Sequence, residues 1–184
     1  MGAAKVILLN GPGSAGKTSL AKALQRLTAN PFLHVSMDTF LEMQPPRHDN
    51  HPDTFHWTTM DEGGRPRTAF RTGPKGAALM RGFRQSVASL AAEGWNVIAD
   101  DVAVASDVDD YRTRLKSFAF AAVKVHAPLE VLEAREIARG DRMHGLARDQ
   151  WQRIHAGIDY DFEVDTGRLS PEDAAQALCE RFDL

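Results

Sequence analysis

The stretch Gly11-Pro12-Gly13-Ser14-Ala15-Gly16-Lys17-Thr18 fits the pattern G-x-x-x-x-G-K-[ST] at every fixed position. The apolar run Val6-Ile7-Leu8-Leu9 precedes it, and a helix-forming stretch from Ser19 to Leu27 follows it. That is the strand, loop and helix a phosphate-binding P-loop requires. Glycines let successive N–H groups turn inward toward phosphate oxygens, and the helix N-terminus adds its positive end. Lys17 reaches the β- and γ-phosphates as a point charge, and the Thr18 hydroxyl is placed to ligate Mg²⁺. Gly11, Pro12, Gly13, Ser14, Ala15, Gly16, Lys17, Thr18 and Ser19 are therefore the expected nucleotide-binding set, with ATP and Mg²⁺ as the expected cofactors. A Gly-rich turn that merely starts a helix would need neither flank.

Asn30-Pro31 breaks the first helix, and Phe32-Leu33-His34-Val35-Ser36 reads as a second buried strand that delivers Asp38 to its carboxyl end. Ligands of open α/β sheets bind outside those ends, so Asp38 is a candidate catalytic residue. Its other use is as N-cap of the short helix beginning at Thr39, and the two are compatible. From Glu42 to Thr72 the periodicity collapses around Pro45, Pro46, Pro52, Pro66 and the Gly63-Gly64 pair. A structureless stretch of that length is a binding segment, a lid or disordered, and the expectation is an irregular acceptor-side segment over 42–72. His48, Asp49, His51, Asp53 and His56 follow no metal-ligand spacing and read as solvated loop residues. Phe55, Trp57 and Phe70 are candidates for an apolar wall, although packing of the loop onto the core would use them equally well.

Gly73-Pro74 restarts a helix in which Leu79, Phe83, Val87 and Leu90 recur at helical spacing. The third strand, Trp95-Asn96-Val97-Ile98-Ala99, ends in Asp100-Asp101. An apolar strand ending in acid beside a P-loop follows Walker B logic, so Asp100 and Asp101 join Thr18 as candidate Mg²⁺ ligands. Ser106 and Asp109 suggest a capping box for a helix through Lys116, and 118–126 forms the fourth strand. Pro128 opens a helix that runs to Arg139, with Gly140 as its cap. Arg135, Arg139 and Arg142 share one face if that helix lasts so far. Such a cluster can clamp a transferring phosphoryl group and lay a guanidinium against the base. It can equally be a helix face salt-bridged to Glu130, Glu133, Glu136 and Asp141. With a short helix inside 145–156, the region 135–156 is expected to form a lid. Residues 160–166 supply the fifth strand, and Ser170-Pro171-Glu172-Asp173 starts the closing helix. This alternation predicts one P-loop domain over 1–184: a three-layer α/β/α fold around a five-stranded parallel sheet in the order 2-3-1-4-5.

At 184 residues, one domain can bury roughly 70% of its unfolded surface without a staple. With 22 Lys+Arg against 25 Asp+Glu, the net charge of −3 supplies no field for nonspecific nucleic-acid binding. Cys179 is the single cysteine, so neither an internal disulfide nor a cysteine zinc cluster can form. No apolar run approaches a membrane span, and Val6 stands where a myristoylation motif wants Ser or Thr. No signal peptide is evident after Met1, so the expectation is a cytoplasmic protein that engages neither nucleic acid nor membrane. A homo-oligomer is compatible with the chain.

The P-loop, Asp38 after strand two, the Asp100-Asp101 pair, the run Arg135-Glu136-Ile137-Ala138-Arg139-Gly140-Asp141-Arg142, and Tyr160-Asp161 leading to Val164-Asp165-Thr166 together resemble chloramphenicol phosphotransferase and its relatives. The match spans most of the chain, and the arginine-rich run is its specific part. The resemblance implies ATP-dependent phosphorylation of a small-molecule hydroxyl, with Asp38 as general base and Lys17 and Thr18 on the phosphates and Mg²⁺. It also implies that Arg139 and Arg142 close over the nucleotide and that Thr166 lies near the adenine. The segment 42–72 departs from the family's pattern, which leaves the acceptor open between an antibiotic such as chloramphenicol and another metabolite, such as a nucleoside, sugar acid or sugar nucleotide. A regulatory ATPase is the reading from a different class; it would need a water-positioning group, and the sequence assigns none.

Overall fold

The computed structural model describes residues 3–140, 143–151 and 153–184. In chain order the first half comprises β1 (Lys5–Asn10), α1 (Lys17–Leu27), β2 (Phe32–Ser36), α2 (Met37–Glu42), β3 (Phe55–Asp61), β4 (Pro66–Thr72) and α3 (Pro74–Ala92). The second half comprises β5 (Asn96–Asp101), α4 (Ala105–Arg114), β6 (Ala119–His126), α5 (Leu129–Arg139), α6 (Leu146–Gln150), β7 (Phe162–Asp165) and α7 (Pro171–Phe182). Five strands form a sheet in the order β2-β5-β1-β6-β7, with every neighbouring pair parallel. No described helix is long and apolar enough to cross a membrane.

Strands β1 and β5 are buried at every position but the first because both faces of the sheet are covered. The pleat sends Ile7, Leu9 and Ile98 toward a core shared with Leu20 and Leu24 of α1 and Leu178 of α7. It sends Val6, Leu8, Val97 and Ala99 into a second core with Phe83 and Val87 of α3 and Tyr111 of α4. Two cores separated by one sheet make the three layers. The helix α4 begins at Ala105, and its N-terminal contact comes from Asp107, which accepts from the Val104 N–H at 3.3 Å; the box expected from Ser106 and Asp109 does not form.

The segment 42–72 is irregular only in its first part and ends in a hairpin. After a single 3₁₀ turn at Pro46–His48, β3 and β4 pair antiparallel from Phe55 opposite Thr72 to Asp61 opposite Pro66. The two-residue turn Gly63-Gly64 has φ of 65° and 84°, and the Glu62 N–H donates to the Arg65 carbonyl at 2.8 Å. Positive φ at both central residues matches the twist of a tight hairpin. This ribbon buries Phe55 and Thr68 but leaves the tip of β3 exposed, so its strands lack the period-two apolar signal of a core strand. It docks through polar contacts: Thr68 donates its N–H to Gly145 O at 3.0 Å and its hydroxyl to His144 O at 2.6 Å. Arg67 Nε reaches Asp149 Oδ1 of α6 at 3.2 Å. Gly145, with φ of 84°, fits only because it has no Cβ, which would lie 2.3 Å from Pro66 O.

Phe83 is fully buried and meets Phe40 of α2 edge-on at 5.0 Å and Tyr111 of α4 at 6.5 Å, so it joins three helices. Phe83→Ala is expected to lower unfolding free energy by about 3–5 kcal/mol in urea titrations.

Candidate active site

Strand β1 ends at the buried Asn10, whose side chain makes a reciprocal pair with Ala103 after β5: Nδ2 donates to the carbonyl at 2.9 Å, and Oδ1 accepts from the N–H at 2.7 Å. Asn10 Nδ2 also donates to the Tyr160 hydroxyl at 2.8 Å. The P-loop thus departs from a fixed point. Within it Ser14 takes φ of 61°, a left-handed conformation that non-glycine residues seldom adopt. No side chain caps α1, so its first-turn N–H groups remain the donors for phosphate.

Lys17 is buried; its Nζ donates to Gly11 O at 2.9 Å and Pro12 O at 3.0 Å and lies 3.8 Å from Asp100 Oδ1. The Thr18 hydroxyl donates to Asp100 Oδ2 at 2.8 Å. His34 Nε2 approaches the same oxygen at 3.4 Å without hydrogen-bond geometry. Burial alone would raise the Asp100 carboxyl, but the Lys17 charge, with His34 and Thr18, outweighs it and holds the group below its ordinary value.

Asp101, expected beside Asp100 at the metal, is not brought to Thr18. Consecutive strand residues face opposite ways, so Asp101 enters the α4 layer, where it accepts from Tyr111 Oη at 3.0 Å and from the Val102 N–H at 2.7 Å. Burial pushes its carboxyl up to about 6, and those two donors offset only part of that rise.

Asp38 lies in the first turn of α2 and is not its N-cap; Ser36 Oγ fills that role by accepting the Asp38 N–H at 3.2 Å. Asp38 and Arg139 both line the cleft formed by residues 13–19 of the P-loop and by Asp100. Arg142 lies outside the described residues. Arg135 donates to Thr166 Oγ1 at 3.0 Å and Thr166 O at 2.7 Å, and the Thr166 hydroxyl donates to Ala15 O at 2.9 Å. These two residues tie the turn after β7 to the P-loop, and both line a groove with Ser14, Gly16 and Ser19. Glu136, on the face read as salt-bridged, is instead buried and accepts the N–H groups of Gly145 at 2.9 Å and Ala147 at 3.2 Å. Arg148 does pair with Glu133.

Beside the P-loop cleft lies a cavity of about 460 Å³, within the range of small-molecule sites. Met37, Leu41, Phe70, Val102 and Gln150 line both spaces, so the two adjoin. Phe55 and Phe70, stacked at 5.6 Å, supply an aromatic wall from the hairpin; Trp57, paired opposite Phe70 on the neighbouring strand, lines neither space. Gln150 bridges the two spaces, its Oε1 accepting the Gly13 N–H at 2.7 Å. Asn10, His34 and Gln150 escaped the sequence reading. A polar residue closing an apolar strand could have marked Asn10, but nothing local marks Gln150, which arrives from 137 residues away.

The family model described as chloramphenicol phosphotransferase-like protein matches residues 4–183. A protein of Mycobacterium tuberculosis strain H37Rv, whose name gives an inferred O-phosphotransferase, is 34% identical over 185 residues, covering 97% of this chain and 82% of the relative. Among solved structures, a sugar kinase from Janibacter sp. HTCC2649 superposes with a TM-score of 0.68 at 18% identity, covering 98% of this chain and 95% of that one. The APS kinase CysC of Mycobacterium tuberculosis, in complex with AMPPNP and APS, also gives 0.68, at 16% identity and 100% of both chains. A gluconokinase from Sinorhizobium meliloti gives 0.65 at 18% identity, covering 100% of this chain and 94% of that one. These structural likenesses show that the chain shares the fold of those three proteins.

The Asn10–Tyr160 contact extends to His155, whose Nδ1 lies 2.8 Å from the Tyr160 hydroxyl. Burial, followed by the nearby Lys124 and His126, lowers the imidazole to about 4. Between that value and the ordinary 6.5, the unfolded chain binds a proton that the folded chain refuses, so stability contributed above pH 6.5 is lost as pH falls toward 4. His155→Gln is expected to flatten the acid side of a Tm-against-pH profile across that window; an unchanged slope would remove His155 as the cause.

Proposed function

The chain belongs to the chloramphenicol phosphotransferase-like family, and we propose that it transfers the γ-phosphoryl group of ATP to a hydroxyl of a small molecule seated between the β3–β4 hairpin and α3. The observation that carries this reading is the position of Asp38. It lines the P-loop cleft, while its neighbours Met37 and Leu41 line both that cleft and the 460 Å³ cavity. A carboxylate at such a junction meets an acceptor hydroxyl on one side and the γ-phosphate on the other.

In the proposed reaction the acceptor oxygen bonds to the γ-phosphorus as the bond to the β–γ bridging oxygen breaks, and ADP leaves. Asp38 takes the hydroxyl proton and returns it to solvent. Lys17 exchanges its contacts with the loop carbonyls for phosphate oxygens, and Arg139 and Arg142 offset charge on the transferring group. Arg135 and Thr166 flank the nucleoside from the groove beside Ser19. Thr18 and Asp100 are hard oxygen donors already paired at 2.8 Å beside the phosphate cradle, a set that suits Mg²⁺. An ion held by Thr18 and Asp100 would take water and phosphate oxygens as its remaining ligands. When bound, Mg²⁺ would supply charge neutralisation on the β- and γ-oxygens. Positioning and electrostatics do the rest.

Chloramphenicol, named in the family description, and sugar-type metabolites, named for the Janibacter and Sinorhizobium structures, are the first acceptors to test. Incubation with ATP and Mg²⁺ is expected to add one phosphate mass to an acceptor by mass spectrometry; ATP consumption independent of every acceptor would favour the ATPase reading. Asp38→Asn is expected to lower kcat by about 10²–10⁴ while calorimetric ATP affinity holds. Lys17→Ala should instead weaken ATP binding itself.

A further inference from the structure

The acceptor cavity carries more positive charge than its own carboxylates neutralise. Four arginines line it: Arg71 from β4, Arg81 and Arg84 from α3, and Arg153 beyond α6. Arg84 is buried and held by Asp110 at 2.7 Å and Asp107 at 3.1 Å, so its charge is met within the fold. Arg153 pairs with Asp149 at 2.9 Å. Arg71 and Arg81 have no carboxylate partner among the described residues, and Asp101 is the one further acid on the lining.

These two guanidinium groups come from different elements, a hairpin strand and a helix, yet open onto one cavity. On α3, Ala77, Arg81 and Arg84 share a face at spacings of four and three, so the helix that buries Phe83 on its core side presents Arg81 to the cavity. The same cavity is walled by Phe55 and Phe70. Planar guanidinium forks match the paired oxygens of a carboxylate or a phosphate and gain nothing comparable from a neutral amide or alcohol.

We infer that the acceptor is anionic: a small alcohol with a carboxylate or phosphate group that Arg71 and Arg81 grip, its apolar body against Phe55 and Phe70 and its hydroxyl toward Asp38. This rests on the phosphotransferase reading and narrows its substrate class.

Matched probes separate the two claims: mandelate and gluconate against their methyl esters, glycerol 3-phosphate against glycerol, and chloramphenicol as a neutral acceptor. Phosphorylation with ATP and Mg²⁺ is read by mass spectrometry, and binding of each probe without turnover by calorimetry. The anionic members should bind and react in preference to their neutral partners, and the carboxylate and phosphate arms show which oxyanion is favoured. In R71Q, R81Q and the double variant, KM for an anionic acceptor should rise about ten- to a hundredfold per arginine, with kcat changing far less. Phosphorylation of neutral members at a KM indifferent to both substitutions would overturn the anionic acceptor and leave the phosphotransferase standing. Binding of the anions that is equally tight in the double variant would overturn it even without turnover. ATP consumption that no acceptor accelerates would sink the phosphotransferase reading first.

Discussion

A parallel strand covered on both faces must send consecutive side chains into opposite layers, and the site depends on that rule. On β1 it alternates Ile7 and Leu9 with Val6 and Leu8, making two cores from one strand. Carried to the end of β5, the same rule divides two adjacent aspartates. Asp100 meets Lys17 and Thr18 on the α1 side, while Asp101 meets Tyr111 on the α4 side. Their environments then push the two carboxyls apart, one held down by a lysine charge and the other pushed up by burial. The pleat that builds the layers also fixes which acid shares the side of the sheet on which Lys17 and Thr18 lie.

The arginines of 135–153 show how one composition supports different tasks. Arg135 fastens the turn at Thr166 to the P-loop, Arg148 pairs with Glu133, and Arg153 pairs with Asp149, whereas Arg139 lines the cleft itself. Neither a uniform clamp nor a uniform salt-bridged face describes these four. The buried Glu136 is part of the same arrangement, since its carboxylate satisfies backbone donors at the turn into α6.

The P-loop, the sheet strands and the helices flanking them were legible because buried parallel strands and amphipathic helices write strong apolar patterns. Asp38 was legible as an acid at a strand's carboxyl end. The hairpin was not, because a ribbon that buries little besides Phe55 and Thr68 has no apolar period to read. Its remaining signal was the Gly63-Gly64 pair between runs rich in Thr, Phe and Trp, which the prolines obscured. The division of Asp100 from Asp101 was implicit in strand geometry, whereas Gln150 and the two unmatched arginines depend on distant elements meeting in space.

The docking of the hairpin on the 143–151 segment has a mechanical consequence. Thr68 bonds to both His144 and Gly145, Arg67 reaches Asp149, and the absent Cβ of Gly145 lets the backbones close to contact distance at Pro66. The aromatic wall of the 460 Å³ cavity and the residues that bridge to the P-loop are therefore clasped as one jaw. A displacement of that jaw would change the shape of the cavity and the distance from Gln150 to Gly13 together.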